Sequence, residues 1–154
     1  MSMRIRPFQM KRKGTTAVEM AVVLVVFIMM FMGVLEYGLY FFTFHVANNA
    51  VREGARYAVV RTGNGTTTQQ VITFVQDKMA GQQARFGSTF NVAVENADPA
   101  TGEDIPNTVW QDSQFGGAIR VRITGSYRPI MPVLFFLPTT FSVETASVMG
   151  SEGN

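Results

Sequence analysis

From residue 20 to residue 35 the chain carries no charge, no side-chain amide and no hydroxyl. Glu36 interrupts, and residues 37–44 resume the apolar character with Thr43 and the phenols of Tyr37 and Tyr40 as the polar groups. A bilayer crossing needs about 20 apolar residues. Residues 17–35 therefore predict a span of marginal length, in a helix free to continue beyond it. Val22, Val23, Val25, Val26 and Ile28 do not oppose a helix in lipid, where every backbone group must bond internally. No proline stands between Pro7 and Pro99 to break it.

Charge gives the span a direction. Five of the thirteen basic residues (Arg4, Arg6, Lys11, Arg12, Lys13) precede Gly14, and none of the eleven acidic ones does. That asymmetry predicts an N-terminus inside and the bulk of the chain outside. The rest of the chain holds more acids than bases, so nucleic acid is not an expected partner. A cleavable secretory signal fits less well, because the apolar run exceeds the usual h-region of about 7–15 residues and no small-x-small site follows it closely.

The helix is expected to run on past the membrane, through residues 15–61. Residues 48–61 are good helix formers, and Thr62-Gly63-Asn64-Gly65 is a strong stop. Unbroken, such a helix extends ~70 Å at 1.5 Å per residue. Ala47, Ala50, Gly54 and Ala58 recur at spacings of three and four, which aligns small residues for close approach of another helix or sheet. A second stripe holds His45, Asn49, Arg52 and Arg56, with Glu53 placed to reach Arg56 at i+3. These small residues, with Arg52 and Arg56, are the candidate contacts to a neighbouring subunit.

Residues 62–154 suffice for one small domain. Thr66 with Gln69, or Thr67 with Gln70, offers a capping box for a second helix over residues 66–86, with Val71, Ile72, Val75 and Met79 on its apolar stripe and Gly87 as terminator. Phe90, Val92 and Val94 alternate with polar or small residues, as do Ile119, Val121 and Ile123, and both read as half-buried strands. Residues 141–149 alternate more weakly. Residues 96–117 read as a long loop with Trp110 and Phe115 as anchors. The expected class is α+β: a long transmembrane helix extending into a domain with a second helix and two or three antiparallel strands. Residues 127–138 hold three prolines among aliphatic and aromatic residues. They are too short and too broken to span a membrane, and read equally as a buried connection or as an exposed patch against lipid or a partner.

Chemistry-bearing motifs are few. The chain has no cysteine and one histidine, His45, so no metal site is expected. Residues 96–104 concentrate acids without calcium-loop spacing. No nucleophile–base constellation or phosphate-cradling loop occurs. The expectation is a protein without enzymatic activity or cofactor.

One carboxylate remains to be explained. Glu19 lies at the edge of the span, where a charge is costly and asks for a partner or a processing role. With Gly14-Thr15-Thr16-Ala17-Val18 before it, the stretch resembles the prepilin pattern of a glycine, four residues and a glutamate. Leu35-Glu36-Tyr37-Gly38, followed by Ala50-Val51-Arg52-Glu53-Gly54-Ala55-Arg56-Tyr57-Ala58, resembles a characteristic stretch of the TadE-like minor pilins of tight-adherence (Flp-type) pili. So do Tyr127-Arg128-Pro129-Ile130-Met131-Pro132 and the closing Glu144-Thr145-Ala146-Ser147-Val148-Met149. The resemblance leaves residues 62–117 uncovered. Met20 departs from the aromatic usual in Flp-type pilins, and Thr15 departs from the phenylalanine of type II secretion pseudopilins.

The resemblance implies a pilin-like fold and a leader, residues 1–14, removed by prepilin peptidase between Gly14 and Thr15. It implies that Glu19, in the first helical turn, pairs with a Thr15 ammonium and sets subunit register. It also implies as partners other pilin and pseudopilin subunits, the inner-membrane assembly platform and the lipid bilayer. Glu36 reads as the outer exit from the membrane, with a subunit contact as the lesser alternative. The competing reading is an unprocessed, signal-anchored periplasmic scaffolding protein.

Overall fold

The computed structural model describes residues 13–130 and 139–151, with the backbone alone at Lys13. Arg4, Arg6, Lys11 and Arg12 of the leader lie outside the described residues, as does the 131–138 part of the proline-bounded run.

Helix α1 (Lys13–Val59) is unbroken over 47 residues. It lies two residues upstream of the expected 15–61 at both ends. Through residues 14–28 its side chains are exposed on every face, as a helix surrounded by lipid would be. From Glu36 onward one face is covered, and the same helix becomes the spine of the α+β domain. Ala47, Ala50, Val51, Ala55 and Ala58 are fully or almost fully buried there.

Helix α2 (Thr68–Lys78) begins at Thr67, whose hydroxyl accepts from the Gln70 amide while the Gln70 side chain accepts from the Thr67 amide. Of the two expected capping boxes, this one forms. The helix stops well before Gly87, because Ala80 (φ 48°) and Gly81 (φ 85°) take left-handed conformations. That reversal lets Met79, fully buried at the end of α2, and Phe86, at 1% exposure, enter the same core from opposite directions. A 3-10 segment, Gln82–Thr89, carries Phe86 and breaks at Gly87.

Strands β1 (Asn91–Ala97), β2 (Ala118–Tyr127) and β3 (Phe141–Gly150) form an antiparallel sheet in that order. Val92 lies opposite Ile123, and Ile123 opposite Thr145. The alternation places Val92, Val121, Ile123, Val143 and Thr145 on the inner face, against α1 and α2. The outer face carries a charged ladder. Arg122 pairs with Glu95 at 2.6 Å and with Glu144 at 3.7 Å, and Arg120 reaches Glu144 at 3.4 Å. The Arg122 guanidinium pKa is raised above its ordinary value, chiefly by the Glu95 hydrogen bond.

The loop between β1 and β2 is anchored at Trp110, which is 2% exposed and whose indole N–H donates to the Thr68 hydroxyl at 2.9 Å. Phe115, the second expected anchor, is 83% exposed and anchors nothing. Trp110 has a polar handle that finds a partner on α2, whereas Phe115 lies on a turn that leads away from the core.

Candidate functional site

Three places on α1 carry the groups with chemistry. The first is its start. Gly14 and Thr15 lie inside the helix, which begins at Lys13, and all positions from Gly14 to Met20 are exposed. A side chain at Gly14 would meet nothing within 4 Å, and the backbone there is not left-handed. The fold therefore does not require a glycine at 14, although glycine costs a helix about 1 kcal/mol relative to alanine. The first turn holds no acidic residue. Glu19 lies beyond it, because the helix of the uncut chain starts upstream of Thr15. Among the described side chains Glu19 has no ion-pair partner.

The second place is the small-residue stripe. Ala47, Ala50, Gly54 and Ala58 face inward and are buried by the chain's own sheet and α2. A Cβ on Gly54 would lie 2.4 Å from Val75 Cγ2 and 3.4 Å from Val121 Cγ1, so glycine is required by close approach. These four residues are therefore not available to a neighbouring subunit in this fold, contrary to the expectation. The close approach they permit is intramolecular. Arg52, Glu53 and Arg56 are exposed on the opposite side, along with His45 and Asn49. The anticipated Glu53–Arg56 ion pair is not among those of the described residues, since solvent competes well for exposed charges at i+3.

The third place is the junction where α1 leaves its bare stretch. Glu36 is buried, at 9% exposure. Its Oε2 accepts from the Ile130 amide at 2.9 Å, and its Oε1 accepts from the Tyr127 hydroxyl at 3.3 Å. Tyr40, one turn further on, meets Tyr127 edge to face at 5.2 Å. Gly33, Tyr37, Tyr40, Pro129 and Phe141 complete the walls of a cleft of about 430 Å³ around the carboxylate. Burial raises the Tyr127 pKa above the ordinary phenol value, the Glu36 charge adds to the rise, and Arg85 opposes it.

Sequence reasoning read Glu36 as an exit marker and missed that it ties α1 to the end of β2. The two partners are 91 and 94 residues away. The signal was indirect: an acid straight after an apolar run, and a tyrosine ending the clearest strand. Two further sets of contacts were also missed. The Thr145 hydroxyl bonds the Asn48 side-chain oxygen, pinning β3 to α1. Arg61 lies 3.8 Å from the centroid of Tyr57, which stacks on Phe74 of α2 at 4.3 Å.

One helix is long and apolar enough at its N-terminal end to cross a membrane and serves at its other end as the core element of a small α+β domain, the layout of a domain on a candidate membrane anchor. No group of three or more His, Cys, Asp or Glu side chains that could hold a metal ion occurs among its described residues. The long helix is similar to part of a known family: the family model described as TadE-like protein matches residues 14–56. That match begins at Gly14 and takes in Glu19, Glu36 and the Arg52–Arg56 stretch, while the resembling segments at 127–132 and 144–149 fall outside it. No curated protein and no solved structure matches the chain.

Proposed function

We propose that the chain is a minor pilin, or pseudopilin, of a Flp-type pilus, acting without catalysis in pilus assembly and through it in adhesion and biofilm formation. The observation that carries this reading is the coincidence of the TadE-like match with the anchor, starting at Gly14, where the fold itself does not require a glycine. A prepilin peptidase needs to bind an extended chain, and Gly14, exposed within the first turn of a fraying helix end, is easily drawn out. Cleavage between Gly14 and Thr15 removes all five leader charges and creates an ammonium on Thr15. Glu19 then lies one helical turn from a cation of its own chain or a neighbour's. In the low dielectric of the membrane such a pair specifies axial register more than it adds stability.

In this reading the protein sits in the inner membrane, N-terminus in the cytoplasm, before any incorporation into a filament. The exposed side of α1, with Arg52 and Arg56, is the surface offered to other pilin subunits and to the assembly platform. N-terminal mass spectrometry of the chain co-expressed with a prepilin peptidase tests the proposal. A mature chain beginning at Thr15 is expected, with Gly14→Trp abolishing the cut. A chain still beginning at Met1 would support the unprocessed scaffolding reading instead. Glu19→Ala is expected to insert normally and to impair assembly.

A further inference from the structure

The Glu36 junction fixes more than the angle between helix and domain. Residues 14–35 rise roughly 33 Å at 1.5 Å per residue, against a hydrocarbon layer of about 30 Å. Glu36 therefore falls at the outer edge of that layer. A backbone amide 2.9 Å from its carboxylate must lie at the same depth, and that amide belongs to Ile130, at the base of the outer domain. The headgroup layer extends only ~5–8 Å further on each side. The end of β2 and residues 128–130 have nowhere else to be.

The side chains at this level suit that layer. Ile130 is 55% exposed, and Tyr37, Phe41 and Phe42 are exposed on the adjoining turns of α1. Amphipathic aromatic rings collect at the boundary between lipid and water, with their apolar bodies in and their polar tips out. The cations match as well. Arg128 is exposed two residues before Ile130, and its amide bonds the Arg85 carbonyl. Arg85 in turn lies close enough to Tyr127 to influence its hydroxyl. The carboxylate among them, Glu36, is turned inward and occupied by Tyr127 and Ile130. The outward face of the base is thus apolar and cationic, complementary to lipid phosphates.

We infer that the base of the outer domain, around Arg128 and Ile130, is a membrane-contact surface seated in the phospholipid headgroup layer. The domain rests on the bilayer at a fixed depth instead of standing clear of it on a stalk. The inference relies on the anchor reading of α1, and the test separates the two. Because the chain has no cysteine, single cysteines can be placed at Ile130, at Val25 in the anchor and at Phe115 on the far side of the domain. Each full-length variant is labelled with a polarity-sensitive fluorophore in nanodiscs of phosphatidylcholine and phosphatidylglycerol. Quenching is then read from nitroxides on the lipid headgroup, nitroxides deep in the acyl chain, and aqueous iodide.

The label at Ile130→Cys is expected to be quenched by the headgroup nitroxide and shielded from iodide several-fold relative to Phe115→Cys. The label at Val25→Cys should respond to the acyl-chain nitroxide. Trp110 emission reports whether each variant is folded, and Arg128→Cys gives a second reading should Ile130→Cys misfold. Iodide access at both 128 and 130 equal to that at 115, with Val25 still quenched from within the lipid, would overturn the inference and leave the anchor intact. A Val25 label untouched by lipid nitroxides would overturn the anchor reading and the inference together.

Discussion

Replacing Gly54 by alanine sets two effects of known size against each other. In an isolated helix the change is favourable by about 1 kcal/mol, because glycine is the poorer helix former. In this fold the new methyl carbon would lie 2.4 Å from Val75 Cγ2, well inside the carbon–carbon optimum of about 3.5–4.0 Å. Val75 and Val121 are both fully buried, so neither has solvent to retreat into. Overpacking of a tight core costs typically ~1–3 kcal/mol, and the net expectation is a loss of about 0–2 kcal/mol. Gly38→Ala is the control, since a side chain there meets nothing within 4 Å and should show the propensity gain alone. Urea unfolding of the full chain in detergent micelles, followed by Trp110 fluorescence, measures both. Combining Gly54→Ala with Val75→Ala should relieve the clash, giving a favourable coupling on the order of 1 kcal/mol between contacting sites. Gly54→Ala matching the gain of Gly38→Ala, with no coupling to Val75→Ala, would refute the close approach of α1 and α2.

Three further outcomes are expected. Thr68→Val removes the acceptor of the buried Trp110 indole N–H and should cost ~1 kcal/mol or somewhat more, since the donor is left unsatisfied; the same urea titration reads it. Arg122→Gln breaks a half-exposed pair with Glu95 and should change stability by no more than about 1 kcal/mol, less in high salt. Tyr127 has its folded pKa raised, so the stability it contributes is complete below the unfolded phenol value of about 10 and is lost as pH rises through the folded value. Tyr127→Phe should remove that alkaline step, seen by phenolate absorbance alongside unfolding.

What could be read from the chain alone was whatever depends on neighbours in sequence. The length of α1, the Thr67–Gln70 cap and the three alternating strands all follow local rules of period and capping, and each formed within a few residues of its expected place. The failures share a cause. Ala80 entered a left-handed conformation because Met79 and Phe86 both had to reach one core, a demand no local signal expresses. The stripe of Ala47, Ala50, Gly54 and Ala58 announced that something packs closely, and the spacing could not say whether it came from this chain or another. Glu36 looked like a boundary marker because its partners, Tyr127 and Ile130, lie at the other end of the sequence. Gly14 is the reverse case: it is explained by no contact in the fold, and its meaning comes from the pattern around it.

The absence of any break in α1 between its bare and buried parts makes the helix a ruler as well as an anchor. Glu19 and Glu36 are fixed on one rigid rod, ~26 Å apart along its axis and about 100° apart around it. Any turn of the rod among neighbours is transmitted without slack to the sheet and to the surface bearing Arg52 and Arg56. Adding one residue between the two carboxylates would lengthen the ruler by ~1.5 Å and rotate the whole α+β domain by ~100° relative to Glu19. The spacing of these two acids therefore sets, in a single number, both the height and the heading of the domain that α1 carries.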